Sequence, residues 1–599
     1  MSSRDFDTDV IVIGSGPTGA TAALALATYG VRVTVATYWN WTANTPRAHI
    51  TNQRTMEVLR DLGVEEEARK YETPWESMGD TLFTTSFAGE EIARLRTWGT
   101  GDTRVGDYLQ GSPCPLADIP QTHMEPVLLT AAAARGARMA FNTEYLSHTQ
   151  DRDGVTVTMR DRITDRQYEM RARYLIGADG ARSKIVDEIG LKIEGQLARA
   201  GTVYTLFDAD LARYVAHRPS ILYWIVTSGA LFGEIGMGLL RAIKPWNQWI
   251  SGWGFDMSKG EPDLSPESVT AKIRAMVGDP DLELSIRSTS VWYVNQAYAT
   301  TYSVGRVFCG GDAVHRHPPS SGLGSNTCIQ DAFNLAWKLA FVLRGDAGPH
   351  LLDSYSLERA PVGEQIVMRA NQSRVDYAPL NKCFRVAGDE DPVAAGLRRL
   401  RDPGPEGAAV REQMVEALEL KNTEFNAHGV ELNQRYESDA VQGDPLAAPE
   451  EWARDRQLYL QATTRPGAKL PHVWLVDHRG KRISTLDVVG KGRMTLVTGL
   501  AGQAWVKAAA AIGHPSLRVV VIGTSDVQDL YCAWARHREI AEAGALLVRP
   551  DGYVAWRHVD AEWDDASAQA KLHAALSNVL SLSTEKRPTV DADQPATIG

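Results

Sequence analysis

The chain has 599 residues, 23% of them charged, with 74 acidic against 63 basic side chains and a formal net charge of −11. That length exceeds a single core and fits about three domains, and the acid excess excludes a basic face for nucleic acid or a polybasic membrane anchor. The start MSSRDFDTDV has no apolar signal core, no apolar run nears spanning length, and the five cysteines (Cys114, Cys309, Cys328, Cys383, Cys532) have neither CxxC nor metal spacing; a cytoplasmic protein with buried thiols, no metal and a small partner is expected.

In chain order, the apolar run Val10, Ile11, Val12 and Ile13 enters Gly14-Ser15-Gly16-Pro17-Thr18-Gly19 and then an Ala/Leu-rich helix. Strand, glycine turn and helix in this order lay a dinucleotide pyrophosphate on a helix N-terminus. The second strand of the unit is read at residues 31–35. A ribose-binding acid is expected about twenty residues past the glycines, yet no acid occurs between Asp9 and Glu57, and the strand ends at Thr37. The hydroxyl of Thr37, or an amide of Asn40 or Asn44, stands in for it.

Residues 46–54 form a loop that leads into a helix carrying Met56, Val58, Leu59 and Leu62. Residues from about 75 to 117, rich in Gly, Thr and Arg, read as a layer covering a substrate, and Pro120 then opens an alanine-rich helix. A second buried strand, Tyr174, Leu175 and Ile176, ends in Gly177-Ala178-Asp179-Gly180. From 191 to 302 the pattern is β-rich with many aromatics. Rings at strand spacing normally pack into a core, so only Tyr223, Trp224, Trp292 and Tyr293 are singled out as pocket candidates.

The densest stretch is residues 305–340. A strand ending at Cys309 is followed by Gly310-Gly311-Asp312, where Asp312 can accept a ribitol or ribose hydroxyl. Then come Pro318-Pro319, Gly322 and Gly324, and a helix whose first amides, at Ser325 and Asn326, would stabilise negative charge on a flavin ring. A helix is read over 351–371, a connection and helix over 398–465, and a separate α/β module over 466–584 with strands at 472–476, 494–498, 518–522 and 545–548. Residues 585–599 read as a flexible tail.

Taken in order, the strand ends at Gly14, Asp179 and Asp312 resemble those of the single-component flavoprotein aromatic hydroxylases, the family of 4-hydroxybenzoate and phenol hydroxylases. TPRAHITNQRTMEVLRDLG (45–63), YVAHRPS (214–220) and GDAVHRHPP (311–319) are most similar to the 2,4-dichlorophenol 6-monooxygenase branch. The resemblance implies an α/β fold: a GxGxxG FAD-binding domain (1–190 and 303–397) interleaved with a β-sheet substrate domain (191–302), plus a thioredoxin-like C-terminal domain. It implies tightly but non-covalently bound FAD, NADPH or NADH as co-substrate, and O2. The reaction would be ortho hydroxylation of a simple or chlorinated phenol to a catechol through a flavin C4a-hydroperoxide, in a homodimer or homotetramer.

For residues, it implies Arg47 on the pyrophosphate, Gln121 on the flavin, and Asp179-Gly180 serving flavin and nicotinamide nucleotide. Since no second GxGxxG occurs, that nucleotide docks in a groove where Arg47, Arg182 and Lys184 are the phosphate contacts. His49 stands where phenol hydroxylases carry an acid beside the substrate hydroxyl, which makes it the candidate proton acceptor. The turn at Pro319 would present carbonyls to the substrate. The alternatives are a hydroxybenzoate or hydroquinone hydroxylase, with Arg213 or Arg218 as the cation, a reductase or halogenase of the same fold, or a non-catalytic scaffold. A halogenase Trp-x-Trp-x-Ile-Pro pattern is missing, because Trp39-Asn40-Trp41 is followed by Thr42-Ala43-Asn44, with Ala43-Asn44 where Ile-Pro would stand.

Overall fold

The computed structural model describes residues 6–227, 235–444 and 448–582. The tail expected at 585–599 lies outside them. A six-stranded sheet orders Ser303–Val304, Val307–Cys309, Tyr174–Gly177, Val10–Ile13, Val33–Ala36 and Arg138–Ala140 side by side. All pairs except the edge hairpin are parallel. The three short strands of the motifs are buried throughout, as strands covered on both faces must be. The second strand, Val33–Ala36, begins two residues later than the β-branched run from Val31 suggests.

Register brings the three motifs together. Ile13 lies opposite Gly177, and Gly177 opposite Cys309. The turns that follow therefore start abreast. A Cβ on Gly14, whose φ is +104°, would lie 2.1 Å from the Ala178 carbonyl oxygen, and one on Gly311, at φ +65°, would lie 2.1 Å from the Thr18 hydroxyl oxygen. Only glycine lets the turns close to this distance. Behind them the helices Pro17–Thr28 and Gly324–Arg344 pack on each other and on the sheet.

An eight-stranded sheet forms the second layer, in the order His315–Arg316, Ser285–Ala299, Ile193–Asp208, Gln248–Phe255, Gly238–Lys244, Leu222–Ile225, Asp80–Thr84 and Glu91–Arg96. Its first edge strand belongs to the flavin motif and its last two to the segment read as a covering layer, so the sheet is tied to the cofactor half at both edges. One face carries Val203, Phe207, Tyr223 and Trp249 against the helix Pro266–Val277. The opposite face carries Leu222, Trp224 and Leu239 into a separate cluster with Ile50 and Tyr377.

In the C-terminal part, Leu517–Ile522, Met494–Gly499, Ala545–Val548 and Val554–His558 form a four-stranded sheet, with the helices Gln503–Ile512 and Asp565–Val579 packed together. The helix read over 351–371 runs Ser354–Val375. Among the described residues no helix is long and apolar enough to cross a membrane, and no group of side chains could hold a metal ion.

Gly14→Ala is expected to abolish retention of FAD during purification, since either the 14 or the 178 turn must move. The ratio of visible to ultraviolet absorbance of the purified protein measures it.

Candidate active site

The helix Pro17–Thr28 begins at Gly16 with no side-chain cap, so its first amides are left for a ligand. A Cβ on Gly16 would meet nothing closer than the Glu125 Oε1 atom, 3.9 Å away. This opening, abreast of Gly180, where added bulk would meet nothing within 4 Å, fits a pyrophosphate lying across the strand ends. Asp312 is exposed at the third strand end, where its Oδ1 accepts from the Cys328 thiol at 3.8 Å and the carboxylate still faces solvent, able to accept hydroxyls. Thr18 is packed under Gly311 and holds the turn; Asp179 faces back toward the Ile185 amide at 3.4 Å, its pKa raised by burial. The cradle fits FAD.

Thr37, which replaces the expected acid, is buried and accepts a hydrogen bond from Ser15 at 3.0 Å. A carboxylate does approach the glycine loop, but it comes from the helix Gln121–Ala134. Glu125 accepts from the Ala43 amide at 2.7 Å and from the Gln121 side-chain amide at 2.6 Å, and burial raises its pKa. Gln121 thus commits its amide nitrogen to Glu125. Arg47 is exposed and donates to the Thr45 hydroxyl at 3.1 Å, Arg182 is exposed, and Lys184 lies 3.6 Å from Glu144, which draws part of its charge away from a phosphate.

Asn326, one turn into the helix Gly324–Arg344, ties the flavin half to the substrate half. Its Nδ2 donates to the carbonyls of Ile50 (2.7 Å) and Gly322 (2.6 Å), and its Oδ1 accepts from the Asn52 amide at 3.0 Å. The residue acts as a strap, while Ser325 is the half-exposed one beside the helix start. The turn before the helix is closed by the Gly322 amide on the Pro319 carbonyl at 3.1 Å, and the Pro318 carbonyl lies 2.7 Å from His317 Nδ1. Pro319 therefore shapes the turn, with its carbonyl already engaged. Burial first, then neighbouring His315, brings the pKa of His317 down to about 4.

His49 precedes the short strand Ile50–Thr51, whose neighbour is Ala117–Asp118. Its Nδ1 lies 3.5 Å from Asp118 Oδ1, and Asp118 Oδ2 accepts from Arg241 Nη2 at 2.5 Å. All three side chains are buried or nearly so. Burial, and next the Arg241 charge, lower the pKa of His49, leaving a neutral imidazole. Burial opposes ionisation of Asp118, yet Arg241 and His49 overcome it and hold its pKa below the usual carboxylate range.

Arg241 stands on the same sheet face as Leu239 and Trp224, and the register extends that face through Gly252 and Tyr204, with Trp292 beside Thr202. Trp224 packs on Tyr377 with ring centroids 5.0 Å apart. Trp224 and Trp292 thus lie on the sheet face that carries Arg241, which His49 meets through Asp118. Tyr223 and Tyr293 do not. Tyr223 is fully buried on the other face, 4.5 Å from the Phe87 ring, with its hydroxyl on the Arg218 carbonyl; Tyr293 is on that face too and 39% exposed. The cations Arg213 and Arg218 are also elsewhere, paired with Asp279 and with the carbonyls of Phe87 and Gly89. Asp118, Arg241 and Glu125 were missed in the sequence, where the signal for the first two was a lone charge inside an apolar run: LADIP for Asp118 and GLLRAI for Arg241.

Comparison with known proteins defines the class. Residues 7–370 match the family described as FAD binding domain, and residues 463–582 the aromatic-ring hydroxylase C-terminal family. The chain belongs to this family of FAD-dependent aromatic-ring hydroxylases. It is 48% identical to 2,4-dichlorophenol 6-monooxygenase of Cupriavidus pinatubonensis, covering 97% of each chain, and 46% identical to phenol 2-monooxygenase of a Pseudomonas species, covering 92% of this chain and 90% of the relative. Among solved structures, the flavin-dependent monooxygenase PieE in complex with FAD and substrate superposes with a TM-score of 0.91 at 40% identity, covering 96% of this chain and 99% of the other. The protein is a flavoprotein monooxygenase that uses FAD.

Asn326→Ala is expected to lower unfolding free energy by about 2 kcal/mol, because it strips partners from the Asn52 amide and the Ile50 carbonyl in a buried site. Urea denaturation of the FAD-saturated protein checks it.

Proposed function

We propose that this enzyme hydroxylates a simple or chlorinated phenol ortho to its hydroxyl, giving a catechol. The observation that carries the reading is the neutral, buried His49, linked through Asp118 to Arg241 on the sheet face that also carries Trp224 and Trp292. Bound FAD supplies the oxygen transfer, with electrons from NADPH or NADH and O2 as oxidant. The chain supplies the rest. A proton on His49 Nδ1 facing Asp118 leaves Nε2 as a lone-pair acceptor for the phenol proton. The imidazolium so formed is stabilised by the Asp118 carboxylate, and the phenolate is a more electron-rich ring.

The aromatic face and the helix-turn around Gly322 exclude water from the ring that reacts. Because Asp118 already neutralises Arg241, the pocket favours a neutral phenol over a benzoate. Arg47 and Arg182 are the proposed phosphate contacts of the nicotinamide nucleotide, with Lys184 secondary; Gln121, Asp312 and the amides at Ser325 are proposed to hold the flavin. The C-terminal module is read as thioredoxin-like. Its strand order, a parallel pair followed by two antiparallel neighbours, supports this. A cytoplasmic homo-oligomer completes the reading, with four of the five cysteines buried as free thiols in support of a reducing compartment.

His49→Asn is expected to slow hydroxylation of unsubstituted phenol about a hundredfold at neutral pH, while flavin binding is retained. The deficit shrinks as pH rises toward the phenol's own pKa of about 10, where the substrate arrives ionised. It is smaller throughout for an acidic polychlorophenol. Coupled NADPH consumption and catechol mass across pH decide it, and equal deficits for both substrates at every pH would remove His49 from the proton path.

A further inference from the structure

We propose that the C-terminal module is a positioning element of the flavin site, acting through Arg359 and Asp331 on the backbone of the Gly311 turn. This rests on the flavin reading of the three strand ends and adds to it a role for a part of the chain that touches none of them. Asp331, inside the helix Gly324–Arg344, is fully buried. Its Oδ2 accepts from the Gly311 amide at 3.0 Å and from His315 Nε2 at 2.8 Å, so one carboxylate fixes both ends of the turn that carries Asp312.

Its other oxygen, Oδ1, accepts from Arg359 Nε at 2.7 Å, and Arg359 Nη1 reaches Gln434 Oε1 and the Tyr436 hydroxyl, each at 2.9 Å. Gln434 Oε1 also accepts from the hydroxyl of Tyr553, a residue of the C-terminal module, at 3.2 Å. The path from Tyr553 to Gly311 is thus an unbroken series of hydrogen bonds, and every side chain on it is buried.

A second arm runs in parallel. Arg549 of the module donates twice to Glu358, the helix neighbour of Arg359, at 2.5 and 2.8 Å, and also binds Asp551. Lys338 and Asn334 donate to the same Glu358 from the helix that carries Asp331. A third contact reaches the His49 side: Arg54 Nη2 donates to the Asp551 carbonyl at 2.6 Å, and Lys469 reaches Glu57 at 2.9 Å, both partners lying in the helix that follows the His49 strand.

Buried charges keep their geometry because an unmatched partner is costly, so these pairs transmit the position of one element to the next. The module has no CxxC, and Cys532 is single and exposed. The connection is therefore mechanical.

The test compares full-length protein with Gln434→Met, which keeps length and removes the shared acceptor, with Asp331→Asn, and with both together. FAD affinity is measured by titrating deflavinated protein, and the midpoint potential of the bound flavin by dye equilibration. Gln434→Met is expected to weaken FAD binding tenfold or more and to shift the potential, although residue 434 contacts no strand end. The double variant is expected to lose less than the product of the two single factors. A Gln434→Met protein with unchanged affinity and potential, or losses that multiply fully, overturns the inference. A variant that merely loosened the fold would lower thermal stability and leave the potential of the bound flavin in place. If Gln434→Met does not fold, Tyr553→Phe is judged by the same criteria. Wild-type protein that stays colourless with excess FAD overturns the flavin reading itself, whereas coloured wild type with multiplying losses overturns only this link.

Discussion

The Ala178 carbonyl fills the space a side chain on residue 14 would need, and the Thr18 hydroxyl does the same for residue 311. These two approaches let three strand ends, already level through the Ile13, Gly177 and Cys309 register, close into one continuous rim. Three features a flavin would meet are hung from that rim: the uncapped helix at Gly16, the open space at Gly180 and the exposed Asp312. A small displacement of any one turn would separate contacts that must act on one molecule at once.

From the rim, geometry reaches the strand after His49 by way of Asn326. One amide side chain in the first turn of a long helix holds both the carbonyl and the amide that bracket Thr51. The Gly322 turn and the strand that follows His49 are thereby fixed to a common helix. The electrostatics are equally economical. Asp118 balances Arg241 and faces His49, so a buried imidazole remains neutral without leaving a net charge in an apolar pocket.

Much of this was legible in the residues. Glycine-bearing turns after buried strands have a pattern that little else produces; the strand Val10–Ile13 matches its reading, and the one read from Arg306 to Cys309 begins a residue later, at Val307. What stayed hidden depended on partners distant in sequence. Tyr223 and Trp224 are neighbours in the chain but face opposite sides of the sheet, as do Trp292 and Tyr293, and period-two alternation cannot say which side is which until the neighbouring strand is known. Asp118 and Arg241 meet across 123 residues, so neither suggests the other in a linear reading. The Thr37 substitution was visible, whereas the carboxylate beside the glycine loop, Glu125, arrives from a different helix.

The two-faced sheet has an evolutionary consequence. Side chains turned toward the Trp224 cluster alternate with side chains turned toward the Tyr223 core, so a substitution repacks one cluster and leaves the other in place. A lineage built on such a wall can vary one side without first solving the folding of the other again.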